Sequence, residues 1–319
     1  MITGQGLYPV YGGNGLRGFT ESYNHDGDYI LIGRQGALCG NIRKVTGKTY
    51  VTEHAIAVCA SKENETTFLQ YLFQKMKLGQ YSDQSAQPGL AVNKLLRLNI
   101  NVPSKIEQAK IAKILSLIDE RIITQNKIIE DLKKLKSAIY QELFSNQQGE
   151  EYSLSELVEI IKGQQINGNE LSENGKYYVM NGGIMPSGYY DDYNTEAGTI
   201  SISEGGNSCG YVQYNSSKFW SGGHCYTLHI KPAAPISTLF LFHFLKWKET
   251  DIMTLRIGSG LPNIQKKDLS KVSIIVPTLD KQQRIMTLLS TFQMKIEHED
   301  MYAINLNKQK QYLLSQMFI

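Results

Sequence analysis

A long internal repeat in this chain of 319 residues is the feature that most constrains its fold. Residues 11–58 align with residues 181–228 at an offset of 170 without a gap. The identical pairs include many Gly, Cys and His residues: Gly12/Gly182, Gly13/Gly183, Gly18/Gly188, Tyr23/Tyr193, Asn24/Asn194, Ile30/Ile200, Ile32/Ile202, Gly36/Gly206, Cys39/Cys209, Gly40/Gly210, Lys48/Lys218 and His54/His224. At an offset of 174, Val102-Pro103, Gln108 and Phe144 match Val276-Pro277, Gln282 and Phe318. Units of this size predict a duplicated domain with pseudo-twofold symmetry rather than a solenoid.

The composition is compatible with two cores in a reducing compartment. Hydrophobic residues make up 41% of the chain, and the formal net charge of +3 does not by itself suggest nucleic acid. The four cysteines are too few for a disulfide framework. No apolar run approaches the ~20 residues of a membrane span, and no secretory signal pattern is present. We therefore expect a cytoplasmic protein without membrane contact.

Each repeat is predicted to consist of a globular part followed by a helical part. Apolar runs between Gly-rich turns predict strands, and longer periodic runs predict helices. The predicted strands are 29–33, 38–45 and 54–59 in the first repeat and 199–203, 209–214 and 224–230 in the second; the predicted helices are 66–77 and 237–249. A last strand should end at Pro103 or Pro277.

After each of these prolines the chain runs for about forty residues without Pro or Gly, which predicts a long helix. Positions spaced alternately by four and three form a heptad seam in each helix. The seam residues are Ile118, Ile122, Gln125, Ile129, Leu132, Lys136, Ile139 and Leu143, and then Phe292, Ile296, Glu299, Ala303, Leu306, Lys310, Leu313 and Met317.

An antiparallel pairing of the two seams is the preferred arrangement. The pairing that sets Ile118 against Met317 gives every apolar seam residue an apolar partner. It also places Gln125 beside Lys310, and Lys136 beside Glu299. We therefore predict an antiparallel coiled coil about 60 Å long with the globular parts at opposite ends. The alternative is that each helix packs only on its own domain.

These features together resemble the specificity subunit of type I restriction–modification systems. The segments 102–115 and 276–289 look like the family's entry to its conserved helix, with Pro followed by Glu-Gln and then by Lys/Arg-Ile. Residues 30–40 and 200–210 look like the Gly-punctuated strand pair of its target recognition domains. The resemblance covers nearly the whole chain.

The resemblance implies an α+β protein with two related α/β target recognition domains joined by two long helices in an antiparallel coiled coil. The implied domains are residues 1–103, 104–147, 148–279 and 280–319, in which recognition domains alternate with helical regions. Each recognition domain would read one half of a split site in double-stranded DNA. Two methyltransferase subunits carrying S-adenosylmethionine would dock on the helices, and ATP-dependent restriction subunits could join them. The chain itself would be non-catalytic and bind no cofactor.

The first repeat departs from this pattern at its beginning. At the offset of 170, Met1 corresponds to position 171, so residues 151–170 of the second repeat have no counterpart. Those residues include a predicted amphipathic helix, Ser155–Ile161, with Leu157, Val158 and Ile161 facing a core. The first recognition domain is therefore expected to be incomplete at its N-terminus.

Signatures of catalysis, nucleotide binding and metal binding are weak. The run Gly13–Gly18 fits a dinucleotide fingerprint, but polar, turn-like residues follow it, so a tight turn is preferred. No Gly-Lys-Ser/Thr phosphate loop and no Asn-Pro-Pro-aromatic methylation motif is present. The matched cysteine and histidine of each repeat supply only two of the four ligands of a structural zinc site. We expect them to be core residues.

Residues that read DNA should be polar and should differ between the repeats inside the matched frame. The candidates are Arg17, Arg34, Gln35, Arg43, Lys44 and Gln87 in the first repeat and Ser187, Glu204, Asn207, Gln213, Tyr214 and Asn263 in the second. Each could also be an ordinary solvated surface residue. A coiled-coil scaffold without DNA specificity is the alternative function, and the missing motifs disfavour an independent methyltransferase or nuclease.

Overall fold

The computed structural model describes residues 2–83, 88–258 and 260–318. The chain forms two compact units: unit 1 is Met1–Ile129 with Glu299–Ile319, and unit 2 is Glu130–His298. Two long helices each contribute one part to each unit. In the described ranges, none of the helices combines the length and apolarity that a membrane crossing requires.

Unit 1 contains two three-stranded sheets, short helices and parts of both long helices. Its elements begin with β1 Tyr8–Gly12, β2 Gly15–Thr20, β3 Tyr29–Gly33, β4 Ile42–Val45, β5 Tyr50–Val51, β6 Ala55–Val58, α1 Thr66–Met76, α2 Val92–Leu95 and the first part of α3 Lys105–Ser145. The sheets have strand orders β2-β1-β5 and β4-β3-β6. Helix α1 packs Phe68, Leu69 and Leu72 on Ile30 of the second sheet.

Unit 2 repeats this arrangement with additional strands. Its elements are β7 Glu150–Ser153, α4 Leu154–Leu157, β8 Val158–Lys162, β9 Tyr177–Met180, β10 Gly188–Tyr190, β11 Thr199–Ser203, β12 Val212–Asn215, β13 Trp220–Ser221, β14 Cys225–Ile230, α5 Thr238–Trp247, α6 Glu249–Thr254, α7 Lys266–Leu269, β15 Ser273–Val276 and part of α8 Leu279–Met317. The strand orders are β10-β9-β13, β12-β11-β14-β8 and β15-β7. One contiguous core joins the central sheet to α5 and both long helices.

The strand registers confirm the predicted duplication. Ile30 lies opposite Val58 and Lys44 in unit 1, and Ile200 lies opposite Leu228 and Tyr214 in unit 2, which is the offset of 170. The first strand differs by one residue, because Val10 pairs with Tyr50 whereas Val179, not residue 180, pairs with Trp220. The ungapped sequence alignment is therefore wrong by one position in β1, because the segment from Val179 to Gly188 is one residue longer than the equivalent segment from Val10 to Gly18.

Several predicted elements have different bounds. The predicted helix Ser155–Ile161 is wrong: a capping box between Ser153 and Glu156 starts only the single turn α4, and β8 follows. The run Val158–Ile161 is rich in β-branched residues, and the free edge of β14 offers them a strand partner. The predicted strands 38–45 and 209–214 are shortened, because a turn occupies 36–41 and its counterpart 206–211. The predicted helix 237–249 is interrupted at Lys248, between α5 and α6.

The predicted last strand of the first repeat is also absent from the described residues: 96–104 contain no strand, whereas β15 forms as expected. The reason lies in the pairing, since β15 bonds to β7, and β7 has no counterpart among the described residues of unit 1. Without a neighbouring strand to pair with, this extended segment does not form a sheet.

The antiparallel coiled coil is confirmed within each unit. All sixteen predicted seam residues are buried or half-buried. In unit 1, Leu115 packs with Leu314, and Gln125 donates from Nε2 to Oε2 of Glu299 at 2.6 Å. The seam was therefore identified correctly from spacing.

The predicted register of the coil is wrong by about one heptad. Lys310 does not lie beside Gln125 but forms an ion pair with Asp119, 2.6 Å from Nζ to Oδ1. In unit 2 the equivalent contact joins Lys136 to Oε1 of Gln293, also at 2.6 Å. A shift of ~7 residues preserves an apolar seam, so the hydrophobic pattern cannot distinguish the two registers. Polar contacts at flanking positions, including Asp119, decide between them.

Matched residues at the start of each long helix connect it to its globular part. Gln108 is buried, donates to the carbonyl of Pro103 at 2.9 Å and accepts from the backbone N–H of Glu65, the N-cap of α1. Gln282 makes the equivalent bonds to Pro277 and to Ser237, the N-cap of α5. The repeated glutamine thus satisfies backbone groups at two helix starts in each unit.

Candidate nucleic-acid interface

Four backbone segments meet at one place in each unit. In unit 1 the β1–β2 hairpin, the turn after β3, the turn before β6 and residues 88–90 are joined by backbone bonds. Arg34 donates to the carbonyl of His54 at 2.9 Å, and Leu90 donates to that of Arg34 at 2.8 Å. In unit 2, the backbone N–H of Glu204 donates to the carbonyl of His224 at 2.9 Å, and that of Ile264 donates to the carbonyl of Glu204 at 2.8 Å. The same platform of loops is therefore present in both units.

Matched cysteines support the turn after the third strand. The thiol of Cys39 donates to the backbone carbonyl of Arg34 at 3.4 Å. The thiol of Cys209 donates to the backbone carbonyl of Glu204 at 2.9 Å. Burial raises the pKa of both thiols, so they remain protonated donors. Among the described residues, no group of three or more His, Cys, Asp or Glu side chains could hold a metal ion.

The matched histidines were predicted to be core residues, and this is wrong. The side chains of His54 and His224 are 42% and 63% exposed. In unit 1, Nδ1 of His54 lies 3.0 Å from Oε1 of Gln35. Both histidines lie in the turn before a strand, and their backbone carbonyls accept from Arg34 and Glu204, while the imidazole rings are exposed. Identity between the repeats does not distinguish a packed histidine from an exposed one, so the sequence does not indicate that these two histidines lie on the platform.

In unit 1 the platform surrounds a polar cleft of about 270 Å³. Its lining includes Arg17 and Gln35, two predicted candidates, together with Asn14 and His54, which were not predicted. The predicted tight turn in Gly13–Gly18 is confirmed, because Gly12 and Gly15 pair across the hairpin. The structure therefore brings together candidates that are separated in sequence.

Glycines of the hairpin leave room for two guanidinium groups. A Cβ atom on Gly12 would lie 2.8 Å from Cδ of Arg17, and one on Gly15 would lie 3.1 Å from Nη2 of Arg43. Arg17, Arg34 and Arg43 are all exposed, and no carboxylate of the described residues pairs with them. Unpaired, exposed guanidinium groups can bond to phosphates or to guanine edges.

The corresponding turn of unit 2 has the opposite charge. Glu204 is only 12% exposed, and its Oε1 atom accepts from Lys162 at 2.7 Å and from Tyr226 at 3.0 Å. Burial, followed by the charge of Glu204, raises the pKa of Tyr226 to about 12, so the phenol remains a donor. Oε2 of Glu204 is buried and lies 3.9 Å from Nδ1 of His224. The carboxylate of Glu204 is therefore bound by neighbouring side chains and is mostly shielded from solvent.

The remaining candidates divide between the two faces of the sheets. Lys44 donates to Thr67 of α1 at 2.9 Å, and its counterpart Tyr214 packs against Phe242 of α5, so both lie on the helix side. Gln213 corresponds to Arg43 and is half-buried. The other three candidates of unit 2, Ser187, Asn207 and Asn263, are exposed. Gln87 lies outside the described residues.

Comparison with known proteins shows which family has this architecture. The chain is 43% identical over 132 residues to the EcoprrI specificity subunit of Escherichia coli, covering 41% of this chain and 32% of that protein. It is 23% identical over 313 residues to a type I restriction enzyme specificity subunit of Haemophilus influenzae, covering 90% and 80% of the two chains. The chain spans less than half the length of the first curated relatives it matches.

The fold is similar to that of a solved structure. The type I restriction–modification S subunit of M. genitalium superposes with a TM-score of 0.70 at 22% identity, covering 100% of this chain and 90% of that one. A family model described as type I restriction modification DNA specificity domain matches residues 2–134 and 146–306. The chain therefore belongs to the type I restriction–modification DNA specificity domain family.

Proposed function

We propose that this chain recognises a bipartite target in double-stranded DNA and positions two methyltransferase subunits on it. The observation that carries the proposal is the repeated platform with differing side chains: the same loops meet in both units, but one presents arginines and the other does not. A reader of two unlike half-sites requires this combination of a common frame with variable contacts. The relatives are named as specificity subunits, which supports the same function.

The platform of unit 1 is suited to base contacts because its cations are exposed and have no carboxylate partner. In unit 2 the exposed amides Asn207 and Asn263 and the hydroxyl of Ser187 are the available readers. Amide side chains can pair with adenine, whereas guanidinium groups favour guanine. We therefore expect the half-site read by unit 1 to contain guanine, and the half-site read by unit 2 to have a different base composition.

The partner subunits are inferred from the family. We propose that methyltransferase subunits carrying S-adenosylmethionine dock on the long helices, and that ATP-dependent restriction subunits join the complex through them. This chain contributes recognition and supplies no catalytic group. The exposed apolar positions Leu117, Ile123 and Leu135 of α3, outside the seam, are available for such docking.

The test is selection of bound sequences from a random duplex library, using this chain with and without a methyltransferase subunit. Recovery of a split motif with a constant spacer supports the proposal. Uniform binding of all sequences by the complex, or no binding, indicates the alternative, a coiled-coil scaffold without DNA specificity.

Substitution of the platform arginines sharpens the test. Arg17→Ala, Arg34→Ala and Arg43→Ala should each weaken binding to the selected site by ~1–3 kcal/mol if the side chain contacts a base, and relax one position of the half-site. Arg284→Ala is the matched control, because this exposed arginine of α8 is paired with Asp280 within the helix. If all three variants bind like the control, unit 1 does not read DNA through these arginines.

A further inference from the structure

One carboxylate oxygen in the platform of unit 2 is buried without a hydrogen-bond partner. Oε1 of Glu204 accepts from Lys162 and from Tyr226, but Oε2 is buried and bonds to none of the described residues. A buried acceptor without a donor is uncommon in proteins and costs free energy. Nδ1 of His224 lies 3.9 Å from Oε2, which is just beyond hydrogen-bond distance. Oε2 therefore has an unused acceptor position beside this imidazole ring.

The backbone of His224 is fixed on both sides, whereas its ring is not. The backbone N–H donates to Oδ1 of Asn181 at 3.0 Å, and the carbonyl accepts from the backbone N–H of Glu204 at 2.9 Å. The side chain is 63% exposed, and neither ring nitrogen has a hydrogen-bond partner among the described residues. A rotation that moves Nδ1 by ~1 Å would bring it within hydrogen-bond distance of Oε2 without moving the backbone.

The matched histidine of unit 1 has different neighbours. Oε1 of Gln35 lies 3.0 Å from Nδ1 of His54, and Oε1 of Glu53 lies 3.2 Å from Nε2. Both ring nitrogens of His54 are therefore already close to a side-chain oxygen of the protein.

In unit 2 the two corresponding positions are glycines. Gly205 stands at the position of Gln35, and Gly223 stands at the position of Glu53. A Cβ atom on Gly205 would lie 3.7 Å from Nδ1 of His224, so a longer side chain there could contact this nitrogen, as Gln35 contacts His54. The glycines thus leave Nδ1 of His224 to the carboxylate of Glu204 and leave Nε2 uncovered.

The carboxylate determines what the exposed ring nitrogen can bind. Because a carboxylate oxygen accepts only from a protonated nitrogen, contact with Oε2 of Glu204 favours the tautomer of His224 that carries its proton on Nδ1. Lys162 already pairs with this carboxylate, so the ring contributes a hydrogen bond rather than the counter-charge. Nε2 then carries a lone pair and acts as an acceptor. The matching donors in the major groove are the amino groups of adenine and cytosine.

We propose that His224 is a specificity-determining residue of unit 2 and that Glu204 is its positioning residue. Glu204 holds the imidazole with its proton on Nδ1, and Nε2 accepts from the amino group of an adenine or a cytosine in the half-site of unit 2. The inference rests on the proposed recognition of DNA. It assigns different roles to two identical histidines, because only the histidine of unit 2 has a ring nitrogen that is free of side-chain oxygens among the described residues.

The tautomer of His224 tests the positioning role in the free protein. Long-range ¹H–¹⁵N correlation spectra of the full chain, labelled with ¹⁵N-histidine, distinguish protonated from unprotonated ring nitrogens. His224→Gln identifies the signals of this residue among the six histidines. At neutral pH we expect a proton on Nδ1 and none on Nε2. In Glu204→Gln an amide N–H can donate to Nδ1, so the proton should move to Nε2.

Two spectroscopic results would overturn the positioning role of Glu204. One is a proton on Nε2 of His224 in the unsubstituted chain. The other is a tautomer that Glu204→Gln leaves unchanged.

Binding to the duplex that the chain selects together with a methyltransferase subunit tests the reading role. His224→Ala and Glu204→Gln should each weaken binding about tenfold and relax the same position of one half-site. The other half-site should be unchanged. Glu196→Gln is the matched control, because it also removes a carboxylate of unit 2 that pairs with a lysine, but an exposed one. It should bind like the unsubstituted chain.

The double variant separates positioning from a merely structural effect. If Glu204 acts through the ring of His224, the double variant binds no more weakly than His224→Ala alone. Additive losses would show that Glu204 acts independently of His224 and would overturn the proposal.

Failure of this inference can be distinguished from failure of the proposed function. A selected split motif that neither variant changes would leave the proposed function intact and overturn the role of His224. An unsubstituted chain that selects no motif would overturn the proposed function and the reading role together, while the spectra would still decide whether Glu204 holds the ring.

Discussion

Units 1 and 2 share a topology but differ in how completely their cores are enclosed. Both have the same strand register, the same buried glutamine at the start of the long helix and the same cysteine support for the turn after the third strand. In unit 2 the segment from β7 to β8 completes the central sheet, and one contiguous core results. In unit 1 the buried residues form several smaller clusters. The described residues of unit 1 therefore show the same frame without the strands that complete it in unit 2.

The enclosing segment also changes the chemistry of the platform of loops. Lys162 is the last residue of β8 and holds Glu204 at the turn after β11. The described residues of unit 1 contain no equivalent lysine contact, and the equivalent residue Arg34 is exposed. The difference shows that the residue type at a matched position does not establish the role of the residue. The neighbouring strand decides whether the side chain is paired within the protein or exposed to solvent.

The largest expected effect comes from truncating the phenylalanines that connect the long helices to the two cores. Phe144 is 2% exposed and packs on Phe240, Phe244 and Trp247, so Phe144→Ala should destabilise unit 2 by ~3–5 kcal/mol. Phe318→Ala should cost unit 1 less, about 1–2 kcal/mol, because its side chain borders an open groove.

Denaturant unfolding can separate the two effects. Both tryptophans, Trp220 and Trp247, belong to unit 2, so their fluorescence reports on that unit, and hydrogen exchange reports on unit 1. If the two alanine variants lost the same stability, the cores would not differ in the way that the burial of the phenylalanines indicates.

Unit 2 should show a pH dependence that comes from a buried histidine. Burial, reinforced by the nearby Lys136, lowers the pKa of His243 from its ordinary value of 6.5 to about 4, and its ring contacts the hydroxyl of Tyr140. Because the folded pKa is the lower one, this stability is fully present above pH 6.5 and is lost as pH falls towards 4. The loss should amount to roughly 2–3 kcal/mol.

The tryptophan-detected free energy of unfolding between pH 7 and pH 4 measures this loss. His243→Gln removes the titrating group and should flatten the profile over that range. The corresponding residue of unit 1 is Tyr71, which does not ionise there. A profile that kept its slope in the variant would assign the pH dependence to other groups.

The smallest expected effect concerns the matched polar contacts of the coil. Lys310 and Asp119 are 16% and 30% exposed, and Asp119 also accepts from Tyr71 at 2.8 Å. Asp119→Asn should therefore destabilise unit 1 by about 1 kcal/mol. In unit 2, Gln293→Asp would place a carboxylate near Lys136 and recreate the ion pair of unit 1, with a gain of a similar size.

High salt provides the control for these two variants. The effect of each substitution should decrease as ionic strength rises, because the charge interaction is partly screened. An effect of Asp119→Asn that did not change with salt would indicate that the hydrogen bond from Tyr71 dominates.

Prediction from sequence succeeded where the signal is periodic or repeated. The heptad spacing identified all sixteen seam residues, and the offset of 170 placed the central strands in the correct equivalence. Prediction failed where the structure of a segment depends on strands that lie beside it in space but are distant in sequence. The Val158–Ile161 run became a strand because β14 was beside it, and residues 99–102 remained unpaired because β7 has no counterpart there.

The candidate site depends on spatial neighbours as well. The rule that DNA contacts should differ between the repeats selects Arg17 and Gln35, which line one cleft, and their contacts with DNA stay predictions. The same rule excluded His54 and included Glu204, because exposure cannot be deduced from identity or difference alone. Lys44 is predicted together with Arg43, but successive residues of a strand point to opposite faces, and Lys44 contacts α1.

By itself, the sequence determined the duplication, the element types of the central sheets, the two long helices and their seam, because local periodicity and repeated residues encode them directly. Only the tertiary structure decided the coil register, the unpaired residues 99–102 of unit 1 and the roles of the platform residues. Registers one heptad apart bury similar apolar surface, so side contacts such as that of Lys310 with Asp119 select between them. Whether a polar side chain is held or exposed depends on strands that are distant in the chain, such as β8 beside Glu204.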